Sequence, residues 1–270
     1  MVRRASQDNL DVLFYGAEVT IAHTRLLRVS LALEESRAYW EHRQLTIPKA
    51  NLVTLAFEER WFGNKSMERV RRLLSEFEHR YDRYPAPLAV LTQWQPAALV
   101  TRQNLCHWHL QLVDPTYRRF TGDFLERRRQ QPNATVDRDG VMRWVVATIG
   151  QSWATATAQR LATGLMTAAA AAGLCAGGVG SRALSYPQIS DEALTYWLYF
   201  LRHLDFEGTL MENPYLTSVG LSEGFLEQRL RKLSDISFNR MAELHDFGWA
   251  YPDLKTWALA RLGQPLGGEA

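Results

Sequence analysis

The sequence predicts a mostly α-helical protein. Three observations carry this. Apolar residues recur at three- and four-residue intervals through most of the chain. Strict alternation of apolar and polar residues, the mark of a half-buried strand, is scarce. Glycine and proline fall mainly where those helical stripes break off, as expected of residues that end helices rather than build them.

The elements follow in order. Met67, Val70, Leu73, Leu74, Phe77 and Tyr81 form one helical stripe, with Ser66 placed to cap it and Pro85 to stop it. The opposite face, with Arg69, Arg71, Arg72, Glu76, His79, Arg80 and Arg83, reads as solvated. Leu105, Trp108 and Leu112 predict a helix closed by Asp114-Pro115, and Tyr117, Phe120 and Phe124 repeat the spacing. These runs make residues 1–130 a helical, bundle-like domain. A turn-rich break at 135–140 precedes apolar Val141 to Ile149, and Gly150-Gln151-Ser152 is a second break, with Ser152 as a cap. A helix then runs from Trp153 to Ala172. Gly173-Leu174 marks its end, because glycine takes the left-handed conformation and the next apolar residue packs back. Leu174 to Ala176 and Arg182 to Tyr186, separated by Gly177 to Gly180, predict a small hairpin. Helix, helix, hairpin is the order of a winged helix, so 131–190 is expected to be a winged-helix-like module. Beyond it, Leu194, Trp197, Leu198 and Leu201, then Leu226, Leu230 and Leu233, predict a helical C-terminal extension over 191–270. Its last helix is expected to start at Pro252 and to bury Leu254, Trp257 and Ala258.

Composition narrows the function classes. With 46% hydrophobic and 22% charged residues the chain is not a disordered tail. Two cysteines, Cys106 and Cys175, exclude a disulfide framework and a four-cysteine zinc site. The net charge is +2, but residues 91–190 carry +5 and residues 191–270 carry −5, which points to an anion-binding centre or to two surfaces with different partners. No apolar stretch follows Met1 to Asp8, so no signal peptide is expected. The uncharged run from Leu161 to Ser181 is alanine-rich and broken by glycines, so no membrane span is expected and a cytoplasmic location follows.

Few residues suggest chemistry. Cys106-His107-Trp108-His109 could hold a metal only if both imidazoles converged, yet residues two apart on a helix point about 200° apart. Asp137-Arg138-Asp139-Gly140 opens like a calcium loop but lacks the later acidic ligands, so it reads as a turn. Gly177, Gly178 and Gly180 are not followed by the Lys-Ser/Thr of a phosphate loop. No Gly-x-Ser-x-Gly elbow occurs. No catalytic residue, metal site or cofactor is therefore expected. The basic cluster Arg118, Arg119, Arg127, Arg128 and Arg129 has only Asp123 and Glu126 nearby. On a continuous helix Arg118 and Arg129 differ by about 20° over three turns, which would let them track one phosphate strand.

The stretch Ser152 to Leu161, continuing through Ala171-Ala172-Gly173-Leu174, resembles the C-terminal winged-helix segment of the BrxA family, accessory proteins of BREX phage-defence systems. Met67 to Tyr81 is similar to that family's Arg-rich helix, and Leu105 to Leu125 to a further helical pair. The resemblance spans roughly residues 30–190. Two departures stand out: the helix expected to read DNA is rich in Lys and Arg in the family but has Arg160 alone here, and 191–270 is an extension. The resemblance implies a mostly helical, non-enzymatic protein that binds double-stranded DNA and other BREX operon proteins. Binding is then expected to be phosphate-driven through Arg118, Arg119, Arg127, Arg128 and Arg129, with Arg160 and Arg182 assisting. Two alternatives come from other classes. One is an assembly adaptor docking a protein through the helix at 153–172 and the aromatics Trp197, Tyr199, Trp249, Tyr251 and Trp257. The other is a metal-dependent enzyme using His107 and His109.

Overall fold

A computed structural model describes residues 13–149, 154–241 and 244–262. Helices dominate it, and their ends are set by residues that satisfy the backbone groups a helix leaves unpaired. A short strand, β1 (Gly16–Ala17), and a 3₁₀ turn (Arg25–Leu27) lead into α1 (Leu33–His42), α2 (Lys49–Glu58) and α3 (Met67–Phe77). Ser66 caps α3 as expected, its hydroxyl accepting from the Arg69 amide at 3.3 Å. The expected stripe then passes through a π turn at Glu78–Asp82. Pro85 does end that run, and it does so by opening the next helix, α4 (Pro85–Trp94), where a missing N–H is harmless. After α5 (Leu99–Val113), Asp114 caps α6 (Pro115–Arg119) by accepting from the Tyr117 amide at 2.9 Å. A second π turn, Phe120–Phe124, joins α6 to α7 (Leu125–Arg129).

The middle segment runs strand, helix, helix, hairpin: β2 (Thr135–Val136), α8 (Arg138–Ile149), α9 (Thr155–Ala171) and β3 (Arg182–Ala183). The expected end of α9 is realised at Gly173, whose φ is +76°. Its amide donates to Ala170 O at 3.0 Å and that of Leu174 to Ala169 O at 2.9 Å, while Leu174 is buried. The hairpin is short, one bridge between Cys175 and Leu184 reinforced by Ala176 N–H to Ala183 O at 2.9 Å. β3 also pairs antiparallel with β2, Thr135 opposite Ala183, so the strand before the two helices closes onto the hairpin after them. The proposed cap Ser152 lies outside the described residues.

The C-terminal part departs from an all-helical extension. It contains α10 (Asp191–Leu201), β4 (Leu204–Asp205), α11 (Pro214–Thr217) and α12 (Glu223–Leu230). A β-hairpin of β5 (Ile236–Met241) and β6 (Leu244–Trp249) follows, and then α13 (Leu254–Arg261). Ile236 and Phe238 turn inward while Ser237 and Asn239 face solvent, a period-two pattern too brief to stand out in the sequence. α13 begins at Leu254, not Pro252, because Asp253 caps it by accepting from the Thr256 amide at 2.7 Å. Leu254, Trp257 and Ala258 are buried as expected.

Residues 191–221 are built into the same core as residues 13–130. Trp108 of α5 stacks on Trp197 of α10 with centroids 5.4 Å apart, and its indole donates to Tyr215 O at 3.0 Å. β1 pairs in parallel with β4. Among the described residues no helix is long and apolar enough to cross a membrane.

Candidate nucleic-acid interface

The cluster expected to grip phosphate is mostly engaged inside the protein. Arg118 is buried: its guanidinium donates to Gln111 O at 2.7 Å and Val19 O at 2.9 Å and pairs with buried Glu18 at 3.2 Å. The reason lies at the end of α5, whose last carbonyls have no intrahelical partner. Arg118 covers Gln111 O, the Val19 amide covers Leu112 O at 2.9 Å, and His23 Nε2 covers Val113 O at 2.8 Å.

Arg128 and Arg129 tie α7 to the small sheet. Arg128 donates to Thr135 O at 3.0 Å. Arg129 donates to Leu174 O at 3.3 Å and Ser185 O at 2.7 Å, pairs with Glu126, and lies 4.1 Å over the Tyr186 ring. A guanidinium that suits phosphate oxygens suits carbonyl oxygens equally. The π turn between α6 and α7 also breaks the continuous phase on which the phosphate track from Arg118 to Arg129 rested. That track is therefore corrected: Arg118 and Arg129 are structural. Arg119 is exposed, and Arg127 is exposed but paired with Asp123 at 2.8 Å.

The open positive surface lies instead on α9. Its inner face buries Ala158, Leu161, Ala162, Leu165, Met166, Ala168 and Ala169, leaving Gln159, Arg160, Thr163 and Thr167 outward. A cleft of ≈ 630 Å³ runs along this outer face, lined by Arg28, Arg69, Arg138 and Arg160 together with Leu26 and Leu27. No carboxylate lines it among the described residues. A second cleft of ≈ 530 Å³ adjoins it, sharing Arg138 and Thr163 and reaching Val179 and Arg182 on the hairpin. Here Asp137 and Asp139 enter the lining, and Asp137 caps α8 by accepting from the Gly140 amide at 2.8 Å. Arg182 is half-buried and donates to Met166 O at 2.9 Å.

The four arginines differ in what holds them. Arg160 has no ion pair among the described residues. Arg138 is 3.9 Å from Asp139, Arg69 donates to Arg28 O at 3.0 Å, and Arg28 reaches Glu76 at 3.4 Å. Thr163 and Thr167 donate to the carbonyls one turn back, Gln159 O at 3.1 Å and Thr163 O at 2.8 Å. Their hydroxyl protons are thus spent within the helix, and arginine is left as the main donor toward a ligand. Arg28, Arg69 and Arg138 could not be picked out from the sequence, since they come from three separate elements. On α3 and the π turn that follows it, Glu76 and Arg80 also reverse the expected solvated face, because both are buried. Arg80 donates to Ser30 O and Leu31 O, each at 2.9 Å.

The remaining candidates are interior. His107 bonds to the Tyr117 and Ser218 hydroxyls, each at 2.9 Å, and His109 to the Tyr196 hydroxyl at 2.8 Å. Burial pushes both imidazoles down to about 3. They leave α5 toward different partners, as the two-residue spacing demands. Cys106 and Cys175 are buried, and burial pushes both thiols up. Of the aromatics proposed to dock a partner, Trp197, Tyr199 and Trp257 are core residues, and Trp249 and Tyr251 are half-buried. No family model matches this chain, no curated protein is similar to it, and no solved structure matches its fold.

Proposed function

We propose that this protein binds duplex DNA without catalysing a reaction, holding phosphates across the outer face of α9 with Arg28, Arg69, Arg138 and Arg160. The observation that carries this reading is the cleft in which four arginines converge and no carboxylate intervenes among the described residues. Neutralising phosphates releases condensed counterions, so such a surface binds strongly at low salt and with little regard to sequence. The strand–helix–helix–hairpin order supports a winged-helix reading of 131–190, with α9 in the place of the DNA-facing helix. The likeness to BrxA proteins, and with it a cytoplasmic role beside BREX operon partners, belongs to the same proposal. Of the arginines singled out in the sequence, Arg160 keeps its role, Arg182 stands at the edge, and Arg119 and Arg127 lie outside the cleft.

The test is fluorescence anisotropy with a random-sequence duplex across a salt series. Four phosphate contacts predict a slope of log affinity on log salt near −3.6, about a hundredfold between 50 and 200 mM. An Arg138→Glu, Arg160→Glu double variant should lose most of this binding, and Arg127→Glu should lose little. Unchanged binding by the double variant overturns the site, and no binding by the wild type at low salt overturns the function. Reversing Arg118 tests the fold alone. The adaptor reading retains only the outer face of α9 as a docking surface, and co-purification of a protein partner by a duplex-inactive wild type would favour it.

A further inference from the structure

Leu26 and Leu27 of the 3₁₀ turn Arg25–Leu27 help to line the α9 cleft, and the arginines at the two ends of that turn, Arg25 and Arg28, share one acid. A 3₁₀ turn brings residues three apart onto the same side, so Arg25 and Arg28 emerge together. Glu76 of α3 meets both. Arg25 Nη1 reaches its two carboxylate oxygens at 3.1 and 3.2 Å, and Arg28 Nη1 reaches Oε1 at 3.4 Å. Glu76 is 4% exposed, Arg25 35% and Arg28 59%. The pairs are therefore unequal: Arg25 holds the carboxylate closely, and Arg28 takes what remains at the longest distance of the three. The two arginines also face different spaces. Arg28 lines the α9 cleft, whereas Arg25 lines a separate small cavity behind the turn, with His23, His79 and Asp114. Arg69 fixes the backbone between these arrangements by donating to Arg28 O, so the side chain of Arg28 can turn without moving the wall.

We infer that Glu76 is a positioning residue for the phosphate surface: it divides its charge between Arg25 and Arg28 and so sets how firmly Arg28 is withheld from a ligand in the cleft. This rests on the duplex-binding reading. In the free protein Arg28 leans on Glu76, and on binding it exchanges that oxygen for a phosphate oxygen while Arg25 keeps Glu76 neutralised. Arg25 thus favours binding without touching the ligand, and Glu76 opposes it.

These roles predict effects of opposite sign. Glu76→Gln removes the competitor and should tighten duplex binding about two- to fivefold, the range expected for a partly exposed ion pair. Arg25→Gln leaves Glu76 to Arg28 alone and should weaken binding by a similar factor. Both effects should vanish in an Arg28→Gln background, which itself should flatten the salt slope by about 0.9. A purely structural role for Glu76 weakens binding in both single variants and adds to the loss from Arg28→Gln, and that outcome overturns the inference. If Glu76→Gln does not fold, the Arg25→Gln, Arg28→Gln pair decides by the same cycle: non-additivity upholds the inference and additivity overturns it. Absence of duplex binding by the wild type at low salt would instead overturn the duplex reading, and this inference with it.

Discussion

Arg118 shows how one residue type serves two purposes. In the sequence it is the first arginine of a basic cluster, and in the fold it closes the end of α5 from within and pairs with buried Glu18. Arg118→Ala leaves Glu18 without its cation and Gln111 O without that donor, so it should destabilise the fold by about 3–5 kcal/mol, read from urea unfolding. Arg118→Lys should recover only part, since a single ammonium cannot reach Gln111 O, Val19 O and Glu18 in the guanidinium's fork. The buried histidines make a second residue-scale prediction. His107 and His109 are held neutral with values near 3 and His79 near 4, each below an unfolded value of about 6.5. In each case burial is the largest cause. Between those limits the unfolded chain binds more protons, so the stability these groups contribute is present above pH 6.5 and is lost as pH falls. The fully buried His107 and His109 should each contribute at most about 1.4 kcal/mol per pH unit to that loss, and half-buried His79 less. Unfolding free energies measured from pH 7 to 4 should fall steeply, and His107→Gln should shallow the fall. A flat profile would contradict the neutral, buried state of these rings.

At the scale of the element, α9 and the turn that ends it carry two glycines with opposite requirements. Gly173 has φ +76° and lies where an added Cβ would come within 3.3 Å of Pro187. Gly173→Ala should therefore lower stability by about 1 kcal/mol or more. Gly164 is mid-helix, and a Cβ there would meet the Leu26 and Leu27 side chains at 3.8 Å, an ordinary contact. Gly164→Ala should raise stability by up to about 1 kcal/mol through helix propensity. Thermal melts of the two variants should shift in opposite directions. The end of α9 was legible in Gly173-Leu174 because a left-handed terminus is a local event. The break of phase between α6 and α7 was not, because no residue type compels a π turn, and Phe120, Phe124 and Trp144 pack together around it.

Across the whole molecule, the core joins distant parts of the chain. Trp197 contacts Trp108, His109, Phe200 and Tyr215, residues drawn from α5, α10 and α11. Trp197→Ala should cost about 3–5 kcal/mol and, because these elements share one core, should lower the single unfolding transition rather than melt the C-terminal part alone. A biphasic melt, with near-ultraviolet signals of the N-terminal helices retained, would contradict a shared core. The phosphate surface is assembled at this scale too. Arg28 follows a 3₁₀ turn, Arg69 lies on α3, Arg138 opens α8 and Arg160 belongs to α9, and only packing brings the four to one cleft.

The sequence by itself determined the helical class, the stripe and cap of α3, the terminus of α9 and the hairpin after it. Each depends on contacts within a few residues, where periodicity, capping side chains and glycine act directly. The tertiary structure alone decided which arginines face solvent. An arginine donates as readily to an unpaired carbonyl as to a phosphate, so its use depends on which helix ends lie within its reach. Arg118 meets the open end of α5 and is consumed there, whereas Arg160 shares a cleft with Arg28 and Arg69, its neighbours only in the folded chain.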